Sequence, residues 1–354
     1  MSGDELTSTD GWPDGGRLLV TGATGMVGRN LCETLAAEDL PVLALGRNTD
    51  LGQQVQDQGI PFVAHDLATG EVDDLCALMR EHGVTAVVHS AALASDWGPP
   101  AAFEAANVEA TRRLLAAMQP AEVTRLVHVS TPSVYLDGKD RRMIKETDPL
   151  PRPINDYAHT KGQAERLIRS TITAIETEAL CAVILRPRAI LGRHDRAITP
   201  RLLAFGEDGA KVPMINGGRT ELDFTHVSNV VSAIRAALRM PRHKAVGQPY
   251  NITNGEPMQV RQFVTKLYRA HDRKLNTRNI PWWLAIRLAG WQERYSRTFT
   301  GGETPPRLTK VAVTMMGRHQ TLDISAARKD LGWEPETSVD EGLADLADWT
   351  AHQT

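Results

Sequence analysis

The chain has 354 residues, 42% of them hydrophobic, which suffices for one large domain or two smaller ones around a sizeable core. A formal net charge of -3 gives no overall electrostatic attraction to nucleic acid or to an anionic membrane. Three widely spaced cysteines, Cys32, Cys76 and Cys181, make neither a metal-ligand pattern nor a disulfide framework, which fits a reducing, cytoplasmic compartment.

The polar opening Met1-Ser2-Gly3-Asp4-Glu5 lacks the basic and apolar regions of a secretory signal, and residues 1–16 read as a flexible leader. No stretch reaches the roughly 20 apolar residues of a membrane-spanning helix. Arg17 to Val20 reads as a first buried strand, and Val27 to Ala37 as a helix with Val27, Leu31 and Leu35 on one face. Further strands are expected at Pro41 to Leu45, Pro61 to Ala64, Ala86 to His89, Arg125 to Ser130 and Cys181 to Leu185. Helices are expected over Asp73 to Glu81, over Phe103 to Met118, and over a run that includes Lys161 to Arg169. Apolar strands alternating with helices imply a parallel sheet covered on both faces, with ligands beyond the carboxyl ends of the strands.

Between the first strand and helix lies Thr21-Gly22-Ala23-Thr24-Gly25-Met26-Val27-Gly28, a G-x-x-G-x-x-G loop. Gly22 permits a tight turn, Gly25 lets the backbone approach a pyrophosphate, and Gly28 lets the helix pack closely. The helix start, with Thr24, Met26 and Val27, then offers free N–H groups to phosphate. The second strand ends Gly46-Arg47-Asn48, where an acidic residue would hold a ribose 2′-hydroxyl. Arg47 suits a 2′-phosphate instead, which favours NADP over NAD; the alternative is that Arg47 stacks on adenine.

Tyr157 and Lys161 stand four apart, on one face of a helix. A nearby ammonium lowers a phenol pKa from about 10, and a phenol so tuned can exchange a proton with an alcohol or carbonyl. Taken alone, such a pair is more often an exposed helix face.

The glycine loop, Tyr157-x-x-x-Lys161 and Leu185-Arg186-Pro187 together resemble the extended short-chain dehydrogenase/reductases, the NAD-dependent epimerase/dehydratase family. The resemblance implies an α/β fold, a doubly wound Rossmann-type parallel sheet with a smaller, discontinuous carboxyl-terminal substrate domain. The boundaries it suggests are 17–187 plus about 222–253 for the NAD(P)-binding domain, and about 188–221 and 254–354 for the substrate domain. By resemblance, Thr131 orients the substrate oxygen, with Ser130 and Ser133 as alternatives. Tyr157 transfers the proton, while Lys161 lowers the Tyr157 pKa and holds the nicotinamide ribose. Asp66 and Leu67 would meet the adenine, although a helix cap is the other reading of Asp66. Ala91 and Ala92 would back the cofactor, Asn107 would serve the structure or the cofactor, and Pro187 would press on the nicotinamide. No metal is implied. His226 reads as a structural hydrogen-bonder rather than a base.

Two features separate this chain from nucleotide-sugar enzymes. Arg186-Pro187-Arg188-Ala189-Ile190-Leu191-Gly192 carries no Asn. Pro281-Trp282-Trp283-Leu284-Ala285-Ile286-Arg287-Leu288-Ala289-Gly290-Trp291 is apolar and aromatic, and resembles the 3β-hydroxysteroid dehydrogenase and 2-alkyl-3-ketoalkanoate reductase branch. The segment 281–291 reads as a wall for a hydrophobic substrate, as a membrane-surface patch, or as packing against the core or a second subunit of a homodimer. The expected activity is NAD(P)-dependent interconversion of a hydroxyl and a keto group on a steroid-like or long-chain acyl substrate; the alternative is a nucleotide-sugar epimerase or dehydratase.

Overall fold

Seven parallel strands form the central sheet of the protein, whose computed structural model describes residues 15–174, 180–300 and 304–352. Of the expected leader, residues 1–14 lie outside the described residues. In chain order the strands are β1 (Arg17–Thr21), β2 (Val42–Gly46), β3 (Phe62–Ala64), β4 (Val84–His89), β5 (Arg125–Val129), β6 (Cys181–Pro187) and β7 (Val246–Ile252). Their spatial order is β7-β6-β5-β4-β1-β2-β3. The order reverses between β1 and β4, so the chain leaves these two neighbours in opposite directions and opens a crevice at their carboxyl ends. This is the parallel sheet expected from the alternation, in the doubly wound Rossmann-type arrangement that the resemblance implies.

The inner strands are apolar along their length because helices cover both faces. On one face, helices Met26–Ala37 and Val227–Arg239 bury Leu31, Leu35, Val230 and Ile234 against Leu18, Val20 and Val88. On the other, Val72–Glu81, Ala110–Met118 and Asp156–Ala174 pack Met79, Leu114 and Ile168 against Leu19, Val87 and Leu126. A third core lies in the carboxyl-terminal half, where Phe224 and Phe263 stack with ring centroids 3.8 Å apart. Four short strands there and in the 141–144 segment form a separate sheet.

Three local features differ from the expectations. Thr49–Gln56 is an additional helix, capped by Asn48 Oδ1, which accepts from Leu51 N at 2.9 Å. The expected helix over Phe103 to Met118 is interrupted by a π-helical turn, Glu104–Glu109, between α-helical segments Pro100–Phe103 and Ala110–Met118. The helix bearing the Tyr-Lys pair runs from Asp156 to Ala174, so Tyr157 lies in its first turn. Asn155 Oδ1 starts that helix by accepting from Ala158 N at 3.0 Å.

Candidate active site

The glycine loop sits at the β1/β4 crevice. Gly22 has φ +68°, and a Cβ there would lie 2.7 Å from the Ala91 backbone. A Cβ at Gly28 would strike the Gly22 carbonyl, so only hydrogen allows the helix to enter so close to the turn. Gly25 is exposed at the helix N-cap, and no side chain caps the helix start. The first N–H groups, from Met26 onward, are therefore available to an anion. A dinucleotide pyrophosphate fits this cradle. Ala91 and Ala92 follow β4 after Ser90, with Ala91 N donating to Thr21 Oγ1 at 3.3 Å.

Arg47 and Asp66 share an open cleft of about 550 Å³ with Asn48 and His65, at the carboxyl ends of β2 and β3. Arg47 Nη1 lies 3.9 Å from Asp66 Oδ2, and Arg47 is exposed. The other Asp66 oxygen accepts from Ala68 N at 2.9 Å, so this side chain does cap the following turn, while Leu67 is buried beneath it. Asn107 is used structurally: its Oδ1 accepts from Leu93 N at 2.8 Å and its Nδ2 donates to Thr160 Oγ1 at 3.0 Å. Placed in the π-helical turn, Asn107 ties the loop after β4 to the helix that carries Tyr157.

Thr131 follows β5 and caps the 3-10 turn Pro132–Tyr135, accepting from Ser133 N at 3.1 Å. Its hydroxyl also donates to Ser133 Oγ at 3.0 Å. The Thr131 hydroxyl acts on the Tyr157 phenol, opposing the rise of its pKa. Ser130 instead donates to Glu165 Oε1 at 2.6 Å.

Tyr157, Lys161 and Glu165 succeed one another every four residues, and this row faces the sheet. Lys161 is only 1% exposed; its ammonium donates to Val129 O at 2.7 Å and to His128 Nε2, 3.1 Å away. Burial pushes Lys161 down to about 8, with Glu165 pulling the other way. The expected lowering of the Tyr157 phenol by Lys161 is a correction here. Burial raises the Tyr157 pKa, the Thr131 hydroxyl opposes that rise, and the Lys161 ammonium is turned toward β5. A half-buried phenol is harder to ionise because the anion loses water.

Several residues of the site were not singled out from the sequence. Arg186, 1% exposed, donates from Nε to Glu165 Oε1 at 2.8 Å, and also to the Tyr135 hydroxyl. Tyr135 OH in turn donates to Asn251 Oδ1 at 3.1 Å. The i+4 row beyond Lys161 was the available signal for Glu165. Beneath the site, His89 bonds Thr21 Oγ1 and Thr111 Oγ1 at 2.8 and 3.1 Å, its ring 5.2 Å from that of His128. The signal available for this pair was a histidine at or next to the end of each apolar strand, His89 in β4 and His128 in β5. Arg188 is fully buried near Asp223, and burial pushes its guanidinium down to about 10. His226 is the structural hydrogen-bonder expected, with Nδ1 2.7 Å from Ser228 Oγ. Pro187 ends β6 in register with Ile252 of β7.

A cleft of about 410 Å³ opens beside the start of the Tyr157 helix, lined by Arg152, Asn155, Asp156, His159 and Arg297 among others. Its walls are mixed rather than apolar. His159, two residues before Lys161 on the helix, faces away from it.

A doubly wound sheet with a glycine loop at its switch point and a Thr-Tyr-Lys constellation defines a nicotinamide-dependent class of enzyme. Residues 18–253 match the NAD dependent epimerase/dehydratase family. The chain is 34% identical over 331 residues to a 4-hydroxy-2-methyl-3-oxo-4-farnesyl-3,4-dihydroquinoline-1-oxide ketoreductase of Stigmatella aurantiaca, covering 92% of this chain and 94% of that protein. It is 30% identical over 335 residues to a 2-alkyl-3-oxoalkanoate reductase of Shewanella oneidensis, covering 93% and 84%. An epimerase from Methanothermobacter thermautotrophicus shares the fold, with a TM-score of 0.78 at 20% identity over 99% of this chain and 97% of that one. The chain belongs to the NAD dependent epimerase/dehydratase family and is an NAD-dependent dehydrogenase/reductase of the extended short-chain type.

Proposed function

We propose that this enzyme interconverts a hydroxyl and a keto group on a hydrophobic, steroid-like or long-chain acyl substrate. The observation that carries the reading is the Thr131 hydroxyl acting on the Tyr157 phenol, one helical turn from the buried Lys161. Thr131 positions the substrate oxygen, and Tyr157 gives that oxygen a proton in reduction and takes one in oxidation. Lys161 holds positive charge beneath the reacting centre, and a bound nicotinamide supplies the hydride. Gly22, Gly25, Gly28 and the helix start hold the pyrophosphate, Ala91, Ala92 and Pro187 flank the nicotinamide side, and Asp66 and Leu67 flank the adenine side. Arg47 favours NADP. The two-domain division, a homodimer and a cytoplasmic location belong to the same proposal. The farnesyl-quinoline and 2-alkyl-3-oxoalkanoate names of the two relatives support the hydrophobic substrate class.

The second reading, a nucleotide-sugar epimerase or dehydratase, is favoured by the cleft that holds Arg152, Asn155 and Arg297, since two guanidiniums and an amide suit a diphosphate. The test is Tyr157→Phe. Reduction of a 2-alkyl-3-ketoacyl or 3-ketosteroid probe should cease while NADP(H) still binds. Full activity of the variant on such a probe, or turnover by the parent enzyme of nucleotide sugars alone, overturns the proposal.

A further inference from the structure

The helix Trp282–Phe299 is built inside out. Ala285 and Ala289, 1% and 0% exposed, pack on Ile215 and Val313, which fixes how the helix is rotated on the body. Two of its polar side chains also point inward. Gln292 Oε1 accepts from Leu308 N at 3.1 Å, and Glu293 Oε1 accepts from Lys310 N at 2.6 Å. The outward face therefore carries the large apolar side chains. Trp283, Trp291, Tyr295 and Phe299 are 60%, 66%, 52% and 72% exposed, with Leu284 and Leu288 between them. Trp291, Tyr295 and Phe299 form a ladder, with ring centroids 5.8 and 4.8 Å apart.

Charge gives this face its partner. Arg287, Arg294 and Arg297 are exposed on the same helix, and Glu293, its single carboxylate, faces inward toward Lys310. Among the described residues neither Arg287 nor Arg294 has an ion-pair partner. An aromatic face edged by arginines, on a protein of net charge -3, is local rather than a property of the whole surface. Tryptophan and tyrosine favour the boundary between headgroups and acyl chains, and arginine favours anionic headgroups. A symmetric second copy would bring the same arginine-bearing patch against itself, which disfavours a dimer through this face. Arg297 also lines the cleft beside Asp156 and His159, and its guanidinium lies 5.0 Å from the centre of the Trp97 ring.

We infer that the exposed face of helix 282–299 docks on an anionic lipid surface, placing the cleft mouth at the membrane boundary. No helix among the described residues is long and apolar enough to cross a membrane, so the contact is with one leaflet surface.

The test is sedimentation of the full-length protein with phosphatidylglycerol-containing vesicles and with pure phosphatidylcholine vesicles, together with tryptophan emission. It uses no substrate, so its outcome is independent of the proposed reaction. Binding to the anionic vesicles, a blue shift, and weakening between about 0.1 M and about 1 M salt are expected. Trp291→Ser with Phe299→Ser should reduce binding at least about tenfold, the scale of losing one buried aromatic. Arg287→Glu with Arg294→Glu should remove the preference for anionic lipid, with an unchanged urea midpoint certifying the fold of either variant. Failure to bind either vesicle, equal binding to both, or self-association abolished by the aromatic substitutions overturns the inference.

Discussion

Lys161 Nζ lies 3.1 Å from His128 Nε2, and both side chains are enclosed, at 1% and 0% exposure. The lysine ammonium can only donate, so His128 Nε2 accepts and the imidazole proton sits on Nδ1. His128 thus positions a residue of the proton-transfer site from the neighbouring strand. His128→Leu removes this acceptor and should cost about 1–3 kcal/mol in urea unfolding. It should also move the Lys161 titration to lower pH, a shift that lost packing alone does not produce. An unchanged Lys161 titration, read by NMR, would refute the positioning role.

Alkaline stability should report the same lysine. Burial pushes Lys161 down to about 8, while an unfolded lysine titrates near about 10.4. Between these values the unfolded chain keeps a proton that the folded chain has released. Stability should therefore rise with pH across this window, by at most about 3 kcal/mol. Urea midpoints of the parent enzyme and of Lys161→Met, measured side by side, check this; the variant should lack the rise.

On the acid side the histidine pair has the matching effect. Burial, with the charge of Lys161 adding to it, pushes His89 down to about 3 and His128 well below the usual range. An unfolded histidine binds a proton near about 6.5. As pH falls below that value the unfolded chain gains protons first, so stability should be lost progressively toward pH 3. His89→Gln should make this acid slope shallower in thermal melts.

Glu165 neutralises Arg186 at the base of the site, with Arg186 Nη2 to Glu165 Oε2 at 2.5 Å and the two side chains 1% and 2% exposed. Glu165→Ala leaves a buried guanidinium without its counter-charge and should destabilise by about 3–5 kcal/mol. Glu165→Gln retains an acceptor and should cost less. Equal midpoints for the two variants would show that the charge is not what matters.

Arg47→Asp replaces a cation with an anion in the cleft already lined by Asp66. NADP(H) affinity should fall by at least about tenfold and NAD(H) affinity should change little, as read by fluorescence titration. Equal losses would show that Arg47 does not read a 2′-phosphate.

The six amino-terminal strands and the glycine loop were legible because their signals are local: short apolar runs, alternating elements, and glycines at a strand end. The boundaries moved by a residue or so, and helix Thr49–Gln56 was missed because its polar sequence Thr-Asp-Leu-Gly-Gln-Gln-Val-Gln buries only Gly52 and Val55. The π-helical turn at Asn107 was also invisible, since a single inserted residue leaves the apolar spacing of residues 103–118 nearly intact.

By itself the sequence determined that Tyr157 and Lys161 share a helix face and that this helix follows the fifth strand of a cofactor-binding alternation. Those are consequences of spacing along the chain. Only the tertiary structure decided where the Lys161 ammonium points, because its partners, Val129 and His128, come from another strand. It likewise decided that the aromatic residues of 282–299 face outward. The small residues Ala285 and Ala289 allow close approach to the body, so they take the inner side and turn the large side chains to the surface.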